Sequence, residues 1–165
     1  MTRTLTVLAL ALVLGACNSS PLRGVGDWFA DARELEVTEF GRSTLCGSQD
    51  DQPRVRLFQD ISRFEAWREE RGIEFAGFEQ AGDDRIVVIE QGRRPTAGYQ
   101  VAVSRVAELR GSELSLHVTM LSPRPGAMTA QMITSPCVVV GVPRVDIRKL
   151  RVIDQSGEQR AVWYR

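Results

Sequence analysis

The chain has 165 residues, 43% of them hydrophobic, and its 21 basic and 21 acidic side chains cancel to a formal net charge of zero. That length suits one domain with a real core, and the charge balance gives no bulk attraction to nucleic acid or to an acidic surface. Lys149 is the sole lysine and His117 the sole histidine.

The chain begins MTRTLTVLALALVLGA, with Arg3 ahead of an apolar stretch from Leu5 to Ala16. These are the n-region and h-region of a secretory signal. The stretch is shorter than the roughly 20 apolar residues of a membrane-crossing helix, and the chain turns polar directly after Cys17. Leu14, Gly15, Ala16 and Cys17 resemble the lipobox of bacterial lipoproteins. The resemblance implies cleavage after Ala16, removal of residues 1–16, and diacylation of the Cys17 thiol. An ordinary signal peptide with a cysteine near the cut by chance is the alternative. Two or more acyl chains anchor stably, since each buried methylene contributes about 0.8 kcal/mol. The membrane is therefore an expected partner, with residues 17–30 as a lipidated tether and 31–165 as a single domain. Asn18, where aspartate would signal retention, implies by the same resemblance an outer-membrane location facing the periplasm.

Two further cysteines remain, Cys46 and Cys137. Export puts them where disulfides form and persist, and a bridge would add at most about 4 to 5 kcal/mol in the chain-entropy account. Two buried free thiols are the alternative. No second cysteine pair or histidine is spaced to complete a metal site, so neither metal nor cofactor is expected.

Along the chain, ELEVTEF (Glu34 to Phe40) alternates imperfectly as one strand, and RVRLF (Arg54 to Phe58) is a short strand. DISRFEAWREERG reads as the helix, with Ile61, Phe64 and Trp67 on one stripe and Gly72 at the C-terminal cap. Its start is capped by Asp60, or by Ser62 with Glu65 three residues on. Phe75 and Phe78 fall in an irregular connection expected against the sheet. The acidic pairs Asp50–Asp51 and Asp83–Asp84 read as solvated turns.

From Arg85 onward strands dominate. RIVVIE is apolar on both faces and belongs mid-sheet. YQVAVSRV puts Tyr99, Val101 and Val103 on one face, and LSLHVTM puts Leu114, Leu116, Val118 and Met120 inward with His117 on the other face. Pro136 predicts an edge or a bulge. In VDIRKLRVID the inward parity switches, which a bulge near Arg148 and Lys149 would absorb. QSGE turns the chain into a last strand with Trp163 inward. The pattern is an α+β domain: a mainly antiparallel sheet, curled or folded into a small sandwich, with one packed helix.

The connection GRRPTAGY stands out among these strands. Gly92 and Gly98 can take positive φ, Pro95 restrains itself and Arg94, Thr96 can bond to the loop's own backbone, and Tyr99 can lay its ring on the core. The result is a stiff, preshaped loop whose arginines, Arg93 and Arg94, and tyrosine are favoured binding residues.

VVIEQGRRPTAGYQVAVSRV, followed by PGAMTAQMITSPCVVVGVPR, resembles the C-terminal domain of the protease-complex subunit PrcB family. The resemblance runs from about Arg85 to Arg144 and rests on Gly92, Arg94, Pro95, Thr96, Gly98 and Tyr99, then Gln131, Thr134 and Pro136. It implies a non-catalytic, membrane-tethered accessory lipoprotein that binds another envelope protein, with a peptidase among the candidates. RPTAGY also looks like the Asn-Pro-Thr-Thr-Gly loop of chagasin-type peptidase inhibitors. An arginine replaces the asparagine, however, and the other two inhibitory loops are missing. An enzyme would need His117 mid-strand, or Cys46 or Cys137 as a thiolate, which a disulfide would remove.

Overall fold

The computed structural model describes residues 31–75 and 81–165. The signal segment, Cys17, the tether and Phe78 lie outside the described residues. In chain order the elements are β1 (Arg33–Glu36), β2 (Thr38–Ser43), β3 (Arg54–Phe58), α1 (Ile61–Glu70), β4 (Arg85–Glu90), β5 (Gln100–Arg110), β6 (Glu113–Leu121), β7 (Cys137–Val142), β8 (Lys149–Ile153) and β9 (Gln159–Tyr164).

The strands form two sheets, a five-stranded one in the order β1-β5-β6-β8-β9 and a four-stranded one in the order β2-β7-β4-β3. All pairings are antiparallel except β6 with β8. The main core lies between the sheets: Val87, Ile89, Val138 and Val140 of the smaller sheet meet Val101, Leu114, Leu116 and Leu150 of the larger. The opposite face of the smaller sheet is covered by α1, where Phe64 and Trp67 pack with Ile86, Val88 and Val139. This α+β sandwich with a helix on one side explains why β4 is apolar on both faces from Ile86 to Ile89 and β7 along its whole length. Both are central strands buried on two faces.

The predicted strand over residues 34–40 is two strands in two different sheets. Leu35 and Val37 point into the sandwich, Phe40 into the helix layer, and a bulge falls between Glu39 and Gly41. The imperfect alternation is the trace of that crossing. Gly141 on β7 leaves room for it, since a Cβ there would stand 2.5 Å from the Phe40 ring.

Helix α1 starts as expected at Asp60, whose side chain accepts from the Arg63 N–H. It ends where Gly72, at φ +61°, and Ile73 return N–H groups to the Glu69 and Arg68 carbonyls. Ile61 does not join the buried stripe and is 40% exposed. Strict three-residue spacing drifts by about 60° per step around a helix of 3.6 residues per turn, so only Phe64 and Trp67 share the narrow inward face.

Two more expectations are corrected. Pro136 marks neither an edge nor a bulge: it directly precedes β7, a central strand, where its missing N–H leaves the ladder intact and its carbonyl accepts from Gln91 at 2.8 Å. The parity switch from Val145 and Ile147 to Leu150 and Val152 needs no bulge at 148–149, because Ile147 lies ahead of β8 in a non-strand segment. The Ser112 carbonyl holds that segment in place through the N–H groups of Arg148 and Lys149.

Cys46 and Cys137 are joined by a disulfide, with 6.0 Å between their Cα atoms and 91 positions between them in the chain. Both are buried against the helix layer.

Candidate functional site

The loop after β4 turns on two glycines. Gly92 has φ +87°, and a Cβ there would meet the Asp51 backbone at 2.6 Å, so the loop lies directly on the 50–52 segment. The Arg93 N–H donates to the Asp50 carbonyl at 2.7 Å, and the Arg93 side chain faces Asp51 at 3.4 Å on the surface. Gly98, at φ +93°, packs against Pro123.

Between the glycines the loop is clasped to the segment before β7. Arg94 and Thr134 exchange both backbone hydrogen bonds, and the Ala97 N–H donates to the Ala130 carbonyl at 3.0 Å. Buried Thr134 also donates its hydroxyl to the Thr96 carbonyl at 2.9 Å, while the Thr96 hydroxyl donates to the Ala97 carbonyl. A third segment joins through Ser135, whose N–H, carbonyl and hydroxyl bond to Thr44, Cys46 and Gly47. The two motifs noted in the sequence are therefore halves of one platform.

Arg94 and Arg93 have different fates. The Arg94 guanidinium turns inward, donating to the Gln91 carbonyl at 2.5 Å and to the Asp51 carbonyl at 3.3 Å, and it lies 5.9 Å from the centre of the Tyr99 ring. It is a brace of the loop. Arg93 and Pro95 stay at the surface and, with Asp51, Ile133 and half-buried Arg94, border an open cleft of about 340 Å³.

The sequence reading missed the rim of this platform. Leu45, Leu121, Met128, Met132 and Ile133 are all exposed, Met128 fully and Ile133 to 62%. All five stand on the segments that meet here: Leu45 bridges Ser135, Leu121 accepts from the buried Gln91 side chain, and the other three lie in the connection between β6 and β7. The signal was present in PGAMTAQMI, a turn-rich stretch that carries two methionines and an isoleucine where polar residues are the norm. Gln131, the motif glutamine, is exposed and bonds back to the Thr129 carbonyl.

Elsewhere, His117 is exposed on the outer face of the larger sheet. Among the described residues no three His, Cys, Asp or Glu side chains converge as a metal site. Burial, and after it the neighbouring Asp83 and Glu36, hold the Asp84 carboxyl above the ordinary aspartate value.

No curated protein and no solved structure matches the chain. Residues 85–143 match the family model described as PrcB C-terminal. The matched segment runs from the first residue of β4 to the residue after β7 and so contains both halves of the platform. By that match residues 85–143 are similar to the C-terminal domain of PrcB.

Proposed function

We propose that this protein is a non-catalytic accessory subunit that binds another envelope protein, a peptidase foremost, through the platform at residues 92–99 and 129–136. The observation that carries the reading is the exposed apolar rim on a braced loop pair. Preshaped loops lose little conformational freedom on binding, and exposed Met, Ile and Leu side chains in one region mark contact surfaces. The family description, PrcB C-terminal, supports an association with a protease complex. An inhibitory loop that enters a catalytic cleft needs a projecting tip, whereas Arg94 and Ala97 here are hydrogen-bonded to a neighbouring segment.

The protein works outside the cytoplasm, held by lipid on Cys17 at the outer membrane and facing the periplasm. The lipobox-like residues 14–17 support this, as does the Cys46–Cys137 bridge, since such bonds persist in oxidising compartments. The test is crosslinking in native membranes with identification of the captured proteins, beside a Met132→Ser/Ile133→Ser variant and a Cys17→Ser variant. The rim variant loses the partner and the Cys17 variant leaves the membrane fraction. Recovery of the same partners from the rim variant removes the platform from the reading.

A further inference from the structure

Strand β5 spans Gln100–Arg110, yet β1 pairs only with its far half, Val106 to Leu109. The last bond on that side runs from the Val37 N–H to the Arg105 carbonyl at 2.8 Å, after which the chain departs into the other sheet as β2. A bulge in β5 between Val103 and Ala107 sits at the same junction. From Gln100 to Ser104, no strand among the described residues pairs with the side of β5 that faces away from β6.

The direction of the free backbone groups follows from Met120. Its N–H donates to Gln155 Oε1 at 3.0 Å and its carbonyl accepts from Gln155 Nε2 at 3.4 Å. Gln155 follows β8, so both groups of Met120 turn away from β5. Residues opposite each other in an antiparallel pair either exchange both bonds or both turn them outward, in alternation. Val101 is opposite Met120 and Val103 opposite Val118. Val101 and Val103 therefore aim N–H and C=O at the unpaired side, while Gln100 and Ala102 bond to β6.

Two clefts lie along that side. One, of about 460 Å³, is bordered by Tyr99, Val101, Ser43 and Thr44, and the other, of about 530 Å³, by Glu36, Thr38, Val103 and Ser104. Val101 is 1% exposed, so it forms a floor. Arg42 borders both clefts, held in a fork by Glu39 at 2.5 and 2.7 Å, and its side chain is 45% exposed.

We propose that this edge receives an extended segment of a partner polypeptide, which adds as a strand beside Gln100–Ser104 in the line that β1 leaves. A peptide backbone supplies the alternating donors and acceptors that Val101 and Val103 present. The inward row of Val101 and Val103 selects apolar side chains at every second position of the segment, and the outward row beside Gln100, Ala102 and Ser104 selects polar ones. The inference rests on the protein-binding reading above and names backbone pairing as its means.

The probe is a capped peptide of about seven residues, a common strand length, alternating valine and threonine. Its control is N-methylated at alternate backbone nitrogens. Hydrogen exchange is measured on the full chain. The probe slows the Val101 and Val103 amides about tenfold or more, as expected for newly bonded edge groups, and the control does not. Val103→Pro removes an outward N–H but no bond to β6; it keeps the fold by circular dichroism and loses the probe. Equal protection by the N-methylated control, or none by either peptide, overturns the proposal. Protection that appears without peptide and grows with protein concentration assigns the edge to a second copy and overturns it too. In the membrane crosslinking experiment, capture that survives Val103→Pro but not Met132→Ser/Ile133→Ser keeps the rim and removes the edge. Loss with Val103→Pro alone supports the edge.

Discussion

Arg94 and Thr134 exchange N–H···O=C bonds of 2.7 and 2.9 Å, and the Thr134 hydroxyl adds a third link to the Thr96 carbonyl. Thr134→Val keeps the shape and removes only that third link. The expected cost is about 1 kcal/mol, the net worth of one such bond with its acceptor partly buried. Denaturant unfolding measures it, and exchange of the Arg94 and Ala97 amides should rise in step.

Gly92→Ala should be severe. The substitution combines a left-handed backbone with a Cβ 2.6 Å from the Asp51 main chain, which is not a flexible group that can move aside. A loss of more than about 2 kcal/mol follows from strain and overlap together. Gly126→Ala shares the positive φ but has open space around it, so it should cost only about 1 kcal/mol. Thermal melts of the two variants make the comparison.

Glu90 lies in the helix layer with its side chain 2% exposed, paired with Arg56 at 3.0 Å and accepting from the Ser48 hydroxyl at 3.1 Å. Arg56→Met leaves that carboxylate without its charge partner. The loss should be about 2 to 3 kcal/mol, below the fully buried case because Arg56 itself is a third exposed. The double variant Arg56→Met/Glu90→Met should recover much of it, since two apolar side chains leave no stranded charge. A double-mutant cycle in denaturant reads the coupling directly.

Glu113 heads β6 between Lys149 at 2.9 Å and Arg151 at 2.8 Å. Partial burial works to raise its carboxyl, but the hydrogen bonds and charges of Lys149 and Arg151 outweigh this and hold it below the ordinary glutamate value of 4.5. A carboxyl depressed in the folded state stabilises fully above its unfolded value and loses that contribution as pH falls through the folded one. Stability should therefore decline below pH 4.5, and Glu113→Gln should flatten that limb of the melting-temperature profile while lowering stability at neutral pH.

The helix with its Asp60 cap, the inward faces of β5 and β6, and the two loop glycines were legible because each is a local pattern. A helix stripe or an alternation needs only neighbouring residues. Which sheet a strand joins is not local, and residues 34–40 show it: one run of β-formers is shared between two sheets at Val37. The platform was half legible for the same reason. The stiffness of the 92–99 loop could be read from Gly92, Pro95 and Gly98, but its clasp to Thr134 lies 38 positions from Thr96. No short-range signal told that Arg94 would turn inward or that Ile133 would stand bare.

The central place of β7 governs how the chain can be assembled. Its neighbours β2 and β4 are both made before it, and β2 touches no other strand of its sheet. Until Cys137–Val142 is in place, one edge of β4 is unmatched and β2 has no strand of its own sheet to pair with. Truncations ending ahead of Cys137 should therefore aggregate rather than give a smaller soluble unit.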